Sequence, residues 1–235
     1  MRKPASLTLG SLLRMKEPSE ERTKAVAELM IPVIGITRLR MDTDGPGVRT
    51  LIGTYGCPLR CRYCLNPHSW QENSRRTAYT PAQLYEKVAI DSLYFQATGG
   101  GITIGGGEPL MHMPAIGEFA ALCPKSWNLW TETSLNVPRQ AVEAAASVFD
   151  HFIVDIKTTN PQIYRDYTGG ELAIALENLL YLRDTVGPER ITLRLPRIPG
   201  YVENGQREES AKWLRDRGFE DLDLFTYRTK LEKKG

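Results

Sequence analysis

Residues 55–70 read YGCPLRCRYCLNPHSW and contain three cysteines, Cys57, Cys61 and Cys64, in a C-x3-C-x2-C spacing. Cysteine thiolates are the usual ligands of iron–sulfur clusters, so each of three on one short loop can bind a different iron of one cluster. A four-iron cluster normally has four cysteine ligands, and this loop would therefore leave one iron open to another ligand. A structural zinc ion is the alternative, with His68 as a fourth ligand. A disulfide is disfavoured because nothing else in the chain indicates secretion.

The bulk composition is that of a globular protein from a reducing compartment. The chain has 235 residues, of which 41% are hydrophobic and 25% charged, so a full hydrophobic core is feasible. Its formal charge of +2 is too small to indicate a nucleic acid or a membrane surface as a partner. No apolar run approaches the roughly 20 residues that span a bilayer, and the first residues lack the apolar core of a signal peptide. We therefore expect a cytoplasmic protein.

Short apolar segments alternate with helical patterns along most of the chain. The predicted strands cover residues 49–55, 102–105, 127–131, 151–156, 190–195 and 222–227. The predicted helices cover residues 80–95, 114–122, 137–149, 171–186 and 206–217, with 160–168 as a polar loop that holds about one helical turn. Thr80 and Asn136 are the predicted N-caps of two of these helices, and Leu84, Val88 and Leu93 form the apolar face of the first.

This alternation predicts an α/β fold in which parallel strands are joined by right-handed crossovers. Six strands are too few for the closed eight-stranded barrel, so an open partial (β/α)6 barrel with parallel strands fits the pattern. We assign this barrel to residues 33–235. Residues 1–32 are predicted to be an N-terminal extension, helical around 17–30.

Polar and charged residues gather at the C-terminal ends of the predicted strands, which is the edge where parallel α/β sheets bind their ligands. They are the cysteine loop, Gly105–Glu108, Glu132–Ser134, Asp155, Lys157, Arg194 and Tyr227–Arg228. Singly, each has an ordinary explanation, such as a glycine turn, a surface carboxylate or an ion pair. Together they predict one site at this edge of the sheet.

The cysteine spacing, with Tyr63 just before the last cysteine, resembles the radical S-adenosylmethionine superfamily. The preceding DGPGVR at Asp44–Arg49, with Asn66 and Trp70 after the loop, resembles one branch of it. That branch comprises the glycyl radical enzyme activating enzymes, of the pyruvate formate-lyase activating type. The resemblance runs from about residue 34 to residue 227, and it implies the same open partial barrel.

The resemblance also implies two cofactors, one 4Fe-4S cluster on the three cysteines and S-adenosylmethionine on the open iron. It assigns the cofactor-binding residues, which are Tyr63, Gly105, Gly106, Gly107, Glu108, Glu132, Ser134, Asp155, Lys157 and Arg194. In this assignment the glycine segment faces the amino group of S-adenosylmethionine, Glu132 its ribose hydroxyls, and Lys157 and Arg194 its carboxylate. Lys157 is counted with the three cysteines as catalytic. The family commonly has a glycine where this chain has Leu135.

The activity implied by the resemblance begins with one electron passing from the reduced cluster to the sulfonium. The carbon–sulfur bond breaks, and a 5′-deoxyadenosyl radical then takes a hydrogen atom from a backbone glycine of a partner glycyl radical enzyme. Asp44 and Arg49 are assigned to this protein substrate, although an Asp before Gly-Pro-Gly is otherwise a turn residue. Flavodoxin or ferredoxin is the expected electron donor.

Two other functions compete with this one. The first is a radical S-adenosylmethionine enzyme that modifies another peptide or a small molecule, and the DGPG element argues against it. The second is a non-catalytic iron–sulfur or zinc module, which would not need the cofactor pocket formed by Gly105–Glu108, Glu132 and Lys157.

Overall fold

The computed structural model describes residues 29–41 and 43–227. Its strands are β1 (Ile31–Arg40), β2 (Arg49–Thr54), β3 (Thr77–Tyr79), β4 (Gly101–Gly106), β5 (Asn128–Thr133), β6 (His151–Asp155), β7 (Ile191–Arg197) and β8 (Leu222–Thr226). Its α-helices are α1 (Pro81–Ala89), α2 (Ser92–Thr98), α3 (Met113–Leu122), α4 (Arg139–Ala146), α5 (Pro161–Thr168), α6 (Leu172–Val186) and α7 (Asn204–Arg215). Most of the helix predicted over 17–30 lies outside the described residues.

The strands form one sheet in the order β3-β1-β2-β4-β5-β6-β7-β8. The six strands from β2 to β8 in this order are parallel to one another, as predicted. The open α/β partial barrel is therefore confirmed. Within the described ranges no helix is long and apolar enough to cross a membrane.

Two strands, β1 and β3, were not predicted. β1 pairs antiparallel with both β2 and β3, and its register with β2 shifts twice. The sequence of β1, IPVIGITRLR, contains a proline and a glycine, both of which are depleted in strand interiors. The β1–β2 connection also lacks a crossover helix, so the alternation of strands and helices gave no signal for it.

The helix predicted over 80–95 is interrupted at Asp91 and forms two helices, α1 and α2. The Asp91 carboxylate is buried and accepts hydrogen bonds from the Thr50 hydroxyl at 2.8 Å and from the Arg38 guanidinium. These bonds tie the helix junction to β2 and β1. Thr80 caps α1 as predicted, whereas Leu93, predicted on the apolar face, is 76% exposed.

Residues 161–168 form a two-turn helix, α5, rather than the predicted polar loop. Asn160 caps its N-terminus by accepting from the backbone N–H groups of Gln162 and Ile163, and Gly169 ends it in a left-handed conformation. Asn136 was predicted to cap the helix that the structure places at α4. That helix starts at Arg139, and the Asn136 amide instead donates to the Glu171 carbonyl at 2.7 Å.

The two faces of the sheet differ in chemistry. Its outer face carries residues such as Ile104, Phe152 and Leu193, which pack with the helices into one hydrophobic core. Side chains alternate along a strand, so the intervening positions point to the inner face. There Glu132 and Arg194 lie beside each other, near the C-terminal ends of β5 and β7. The topology thus places the predicted charged residues on one concave face.

Candidate active site

The cysteine loop is held by the C-terminal end of α5. The backbone N–H of Arg60 donates to the Thr168 carbonyl at 2.7 Å, and that of Arg62 donates to the Tyr167 carbonyl at 3.0 Å. The last carbonyls of a helix have no partner within the helix, so they are available to bind another segment. Two peptide groups on either side of Cys61 are fixed in this way.

The three thiols are free and half-buried. Burial raises the pKa of Cys57 to about 12 and that of Cys61 to about 11, and the thiols are near enough to raise each other's pKa. Within residues 29–41 and 43–227, no three His, Cys, Asp or Glu side chains converge as a single metal ion requires. A cluster differs from one ion because each of its irons takes its own cysteine. The donor set therefore fits an iron–sulfur cluster.

The glycine segment after β4 lies directly against the start of the cysteine loop. The N–H of Gly107 donates to the Thr54 carbonyl at 2.9 Å, and the N–H of Glu108 donates to the Gly56 carbonyl at 2.7 Å. A Cβ atom on Gly107 would lie 2.3 Å from the Gly56 oxygen. A Cβ on Gly105 would lie 2.7 Å from a carboxylate oxygen of Glu132. The contact at Gly107 is with fixed backbone and requires glycine, whereas at Gly105 the Glu132 side chain would have to shift.

Glu108 is turned inward, toward the end of β5. One of its carboxylate oxygens accepts from the Thr133 hydroxyl at 2.7 Å, and the other accepts from the N–H and the hydroxyl of Ser134 at 2.9 and 2.7 Å. Burial raises the pKa of Glu108, partly offset by these bonds. These hydrogen bonds join the segment after β4, which carries Glu108, to the segment after β5, which carries Ser134. The next residue, Leu135, has φ of 55°, in the region that favours glycine.

Glu132 and Arg194 form an ion pair on the inner face, with 2.7 Å between Oε1 and Nη1. Arg194 also donates to the Thr43 carbonyl at 3.2 Å, which ties the β1–β2 loop to β7. Burial raises the pKa of Glu132, while Arg194 acts in the opposite direction. Both side chains retain about a fifth of their exposure, so a ligand can reach them.

Lys157 is a buried cation, only 6% exposed, and it is near enough to Cys61 to oppose the rise in the pKa of that thiol. Its Nζ lies 3.0 Å from Oδ1 of Asp155 and 2.9 Å from the Tyr227 hydroxyl. Burial lowers the pKa of Lys157, but Asp155, Tyr227 and Cys61 outweigh this and hold it well above its usual value. The ammonium therefore stays charged at neutral pH.

Arg49 is not brought to this edge. It begins β2, is fully buried, and donates to the Thr103 hydroxyl and the Ile102 carbonyl, each at 2.8 Å. Its guanidinium also lies over the Trp130 ring at 4.8 Å, and burial lowers its pKa to about 10. Arg49 therefore lies at the opposite end of β2 from the cysteine loop, and its assignment to the protein substrate stays a prediction.

Asp44 lies nearer the inner face but is only 4% exposed. Its carboxylate is bound by the Arg40 guanidinium, and its carbonyl accepts from the Thr103 hydroxyl at 2.8 Å. The following Gly45 packs on Trp130, since a Cβ there would lie 2.7 Å from the ring. The DGPG turn therefore packs against β4 and β5, with Gly47 close to Gly100, just before β4.

Sequence reasoning missed a group of three aromatic rings behind the cysteine loop. Tyr63, Tyr167 and Tyr201 contact one another edge to face, with centroids 5.2 to 6.1 Å apart. Tyr63 was singled out, but the other two were not. The capping signal Asn160-Pro161 would have placed Tyr167 on a helix rather than in a loop.

Comparison with known proteins agrees with this architecture. Residues 51–214 match the Radical SAM superfamily. The pyruvate formate-lyase-activating enzyme of Staphylococcus aureus (strain USA300) is 30% identical over 168 residues, 68% of this chain. The chain spans 66% of the length of that relative.

Two solved structures share the fold at low sequence identity. Streptococcus suis SuiB bound to S-adenosylmethionine superposes with a TM-score of 0.57 at 15% identity, covering 76% of this chain and 40% of SuiB. QueE from Escherichia coli superposes with a TM-score of 0.51 at 14% identity, covering 90% of this chain and all of QueE.

Proposed function

This chain belongs to the radical SAM superfamily, and we propose that within it the protein is a glycyl radical enzyme activating enzyme. Its substrate would be a backbone glycine of a partner protein. The observation that carries the proposal is one juxtaposition. Three free cysteines, on a loop anchored by α5, lie beside the glycine segment and the buried cation Lys157. The DGPG element and the S. aureus relative support the activating branch.

We propose that Cys57, Cys61 and Cys64 hold one 4Fe-4S cluster, which leaves one iron for S-adenosylmethionine. A cluster held there would supply the electron for reductive cleavage of S-adenosylmethionine, which would be the source of the radical that takes hydrogen from the glycine. The protein's task is then to bind, to orient and to exclude water. An electron donor of the flavodoxin or ferredoxin kind belongs to the same proposal.

The charged side chains of the inner face have separate tasks in this proposal. Lys157 directs a fixed positive charge toward the carboxylate of S-adenosylmethionine, and Asp155 holds the ammonium in place. Arg194 orients Glu132, whose carboxylate accepts from the ribose hydroxyls. A carboxylate is suited to that task because it only accepts hydrogen bonds.

The glycine segment Gly105–Glu108 brings backbone, rather than side chains, to the edge of the site. Glu108 stabilises the turn that carries Ser134. Tyr63 is 37% exposed and offers a ring face for the adenine. Asp44 is proposed to meet the partner's glycine loop only if its pair with Arg40 opens.

The test is anaerobic reconstitution with iron and sulfide, reduction with dithionite, and addition of S-adenosylmethionine. We expect 5′-deoxyadenosine from the wild type and none from Cys61→Ala. The first partner to test is a pyruvate formate-lyase, the substrate named by the S. aureus relative. Its glycines are labelled with deuterium, and the expected results are a glycyl EPR signal and deuterium in the 5′-deoxyadenosine.

The outcomes separate the competing functions. If 5′-deoxyadenosine forms but no deuterium transfers from this or any other glycyl radical enzyme tested, the protein modifies a different peptide or a small molecule. If zinc is bound and no iron, the cluster assignment is overturned.

A further inference from the structure

Tyr167 presents a buried hydroxyl that none of the described residues satisfies. The residue is 1% exposed, and its hydroxyl oxygen has no hydrogen-bond partner within residues 29–41 and 43–227. Buried phenols usually find a partner, because leaving one unpaired costs about 1–3 kcal/mol. An unpartnered hydroxyl next to a cofactor site indicates a partner that arrives with the cofactor.

The position of Tyr167 points its side chain at the cysteine loop. Its own carbonyl binds the N–H of Arg62, the residue after Cys61. Its ring contacts that of Tyr63 at 6.1 Å, and Cys61 packs against the small apolar cluster to which Tyr167 belongs. The side chain therefore lies directly behind the segment from Cys61 to Cys64.

The polar neighbours of the hydroxyl include two acceptors, the Tyr227 hydroxyl oxygen and the Cys61 sulfur, which differ in charge. Four polar groups lie near enough to shift the pKa of Tyr167: Tyr227, Lys157, Cys61 and the backbone N–H of Tyr63. The Lys157 ammonium and the Tyr63 N–H can only donate. The Tyr227 hydroxyl oxygen already accepts from Lys157 at 2.9 Å. A Cys61 thiolate, once it binds iron, carries negative charge and is therefore the stronger acceptor of the two.

We propose that the Tyr167 hydroxyl donates a hydrogen bond to the Cys61 sulfur when the cluster is bound, and so raises the reduction potential of the cluster. The hydrogen bond stabilises negative charge on the sulfur, and reduction adds negative charge, so the reduced state gains more. Tyr167 is then a residue that tunes the cluster without touching the substrate. The inference rests on the proposed cluster at Cys57, Cys61 and Cys64.

The test is a redox titration of the reconstituted protein, followed by the EPR signal of the reduced cluster. Tyr167→Phe removes the hydroxyl and keeps the ring, so we expect a shift of the midpoint potential to more negative values. Tyr201→Phe, in the same ring group, is the matched control and should titrate like the wild type. Equal potentials for Tyr167→Phe and the wild type, at equal iron content, would overturn the proposal.

A second substitution guards against a variant that binds iron poorly. Site-specific 3-fluorotyrosine at position 167 keeps the shape and makes the phenol a stronger donor, so the potential should move upward. A potential that stays at the wild-type value overturns the proposal independently. These titrations need no partner protein, so failure to activate a glycyl radical enzyme would overturn the proposed function and leave this inference standing.

Discussion

Lys157 combines burial with a retained charge, and its neighbours explain how. Asp155 and Tyr227 supply the compensation that a buried ammonium requires. A ligand carboxylate that pairs with this ammonium would offset part of the desolvation penalty of burying it.

Lys157→Met keeps the length of the side chain and removes the charge. We expect the reconstituted variant to bind S-adenosylmethionine about 10- to 100-fold more weakly, because a hydrogen bond to a charged group is worth about 1.5–3 kcal/mol. Equilibrium dialysis measures the change. Lys212→Met, whose ammonium is exposed and pairs with Asp216, is the control and should bind normally. Normal binding by Lys157→Met would remove this residue from the cofactor site.

The buried carboxyl of Glu108 is expected to make the free energy of unfolding depend on pH. Burial raises its folded-state pKa, so the folded protein holds its proton to higher pH than the unfolded chain does. The contribution of this carboxyl to stability is therefore greatest below the unfolded pKa of about 4.5 and is lost as pH rises through the folded pKa.

Urea denaturation of the metal-free protein over a pH series checks this expectation. The free energy of unfolding of the wild type, minus that of Glu108→Gln, should fall as pH rises above about 4.5. The subtraction removes the titration of other groups. A difference that rises with pH would mean that the bonds from Thr133 and Ser134 dominate over burial.

Leu135 and Leu39 share a left-handed backbone conformation, with φ of 55° and 54°, but differ in burial. Leu135 is fully buried, whereas Leu39 is 45% exposed. Glycine would relieve about 1–2 kcal/mol of backbone strain at either position. Removing a buried leucine costs about 2–5 kcal/mol, so packing outweighs strain at Leu135.

We therefore expect Leu135→Gly to lower the free energy of unfolding by about 2–4 kcal/mol. Leu39→Gly is the matched control and should change it by less than about 1 kcal/mol. Denaturant unfolding of both variants measures the two effects. Equal losses at the two sites would contradict the argument from burial.

Among the structural elements, the glycine segment after β4 sets the path of the cysteine loop by direct contact between backbones. A methyl group on Gly107 would meet the Gly56 carbonyl at 2.3 Å and the Thr54 carbonyl at 2.8 Å. Neither oxygen can rotate away as a side chain could. The hydrogen bonds that join the two segments would have to break.

Gly107→Ala is expected to displace the cysteine loop and to reduce the iron bound after reconstitution to less than half of the wild-type value. Iron analysis and the absorbance of the cluster check this. Gly205→Ala is the matched control, since nothing lies within 4 Å of its added methyl group and it sits in helix α7. Full iron binding by Gly107→Ala would show that the loop adapts at little cost.

For the whole molecule, S-adenosylmethionine should behave as a stabilising ligand, because its proposed contacts come from β4, from β5 and from Lys157 after β6, which are far apart in the chain. At a concentration 100-fold above its Kd, a ligand of the native state adds about 2.7 kcal/mol. For a chain of this size that corresponds to a rise in Tm of about 5–10 °C.

Thermal unfolding of the reconstituted protein, with and without S-adenosylmethionine under anaerobic conditions, measures this rise. Cys61→Ala is the control and should show little or no rise. A rise of the same size in that variant would place the ligand away from the cysteine loop.

The parallel core of the fold was predictable from local sequence. Its six strands are short apolar runs between helical patterns, and β-α-β units have only one common handedness. β1 and the break at Asp91 were not predictable, because both depend on partners far along the chain, such as Arg38 with Asp91. The helix α5 was missed for a local reason, an Asn-Pro start that was read as loop.

The class of chemistry in this protein follows from local sequence, since the spacing of Cys57, Cys61 and Cys64 is a property of one loop. Local sequence also shows which strand ends carry charged residues. Which of those charges meet depends on the tertiary packing. Folding pairs Glu132 with Arg194 and turns Glu108 inward. Folding also buries Arg49 away from the site and leaves the Tyr167 hydroxyl unpartnered behind the cysteine loop. Such pairings join residues 26 to 62 positions apart, and they form only once the strands align and burial makes an unpaired charge costly.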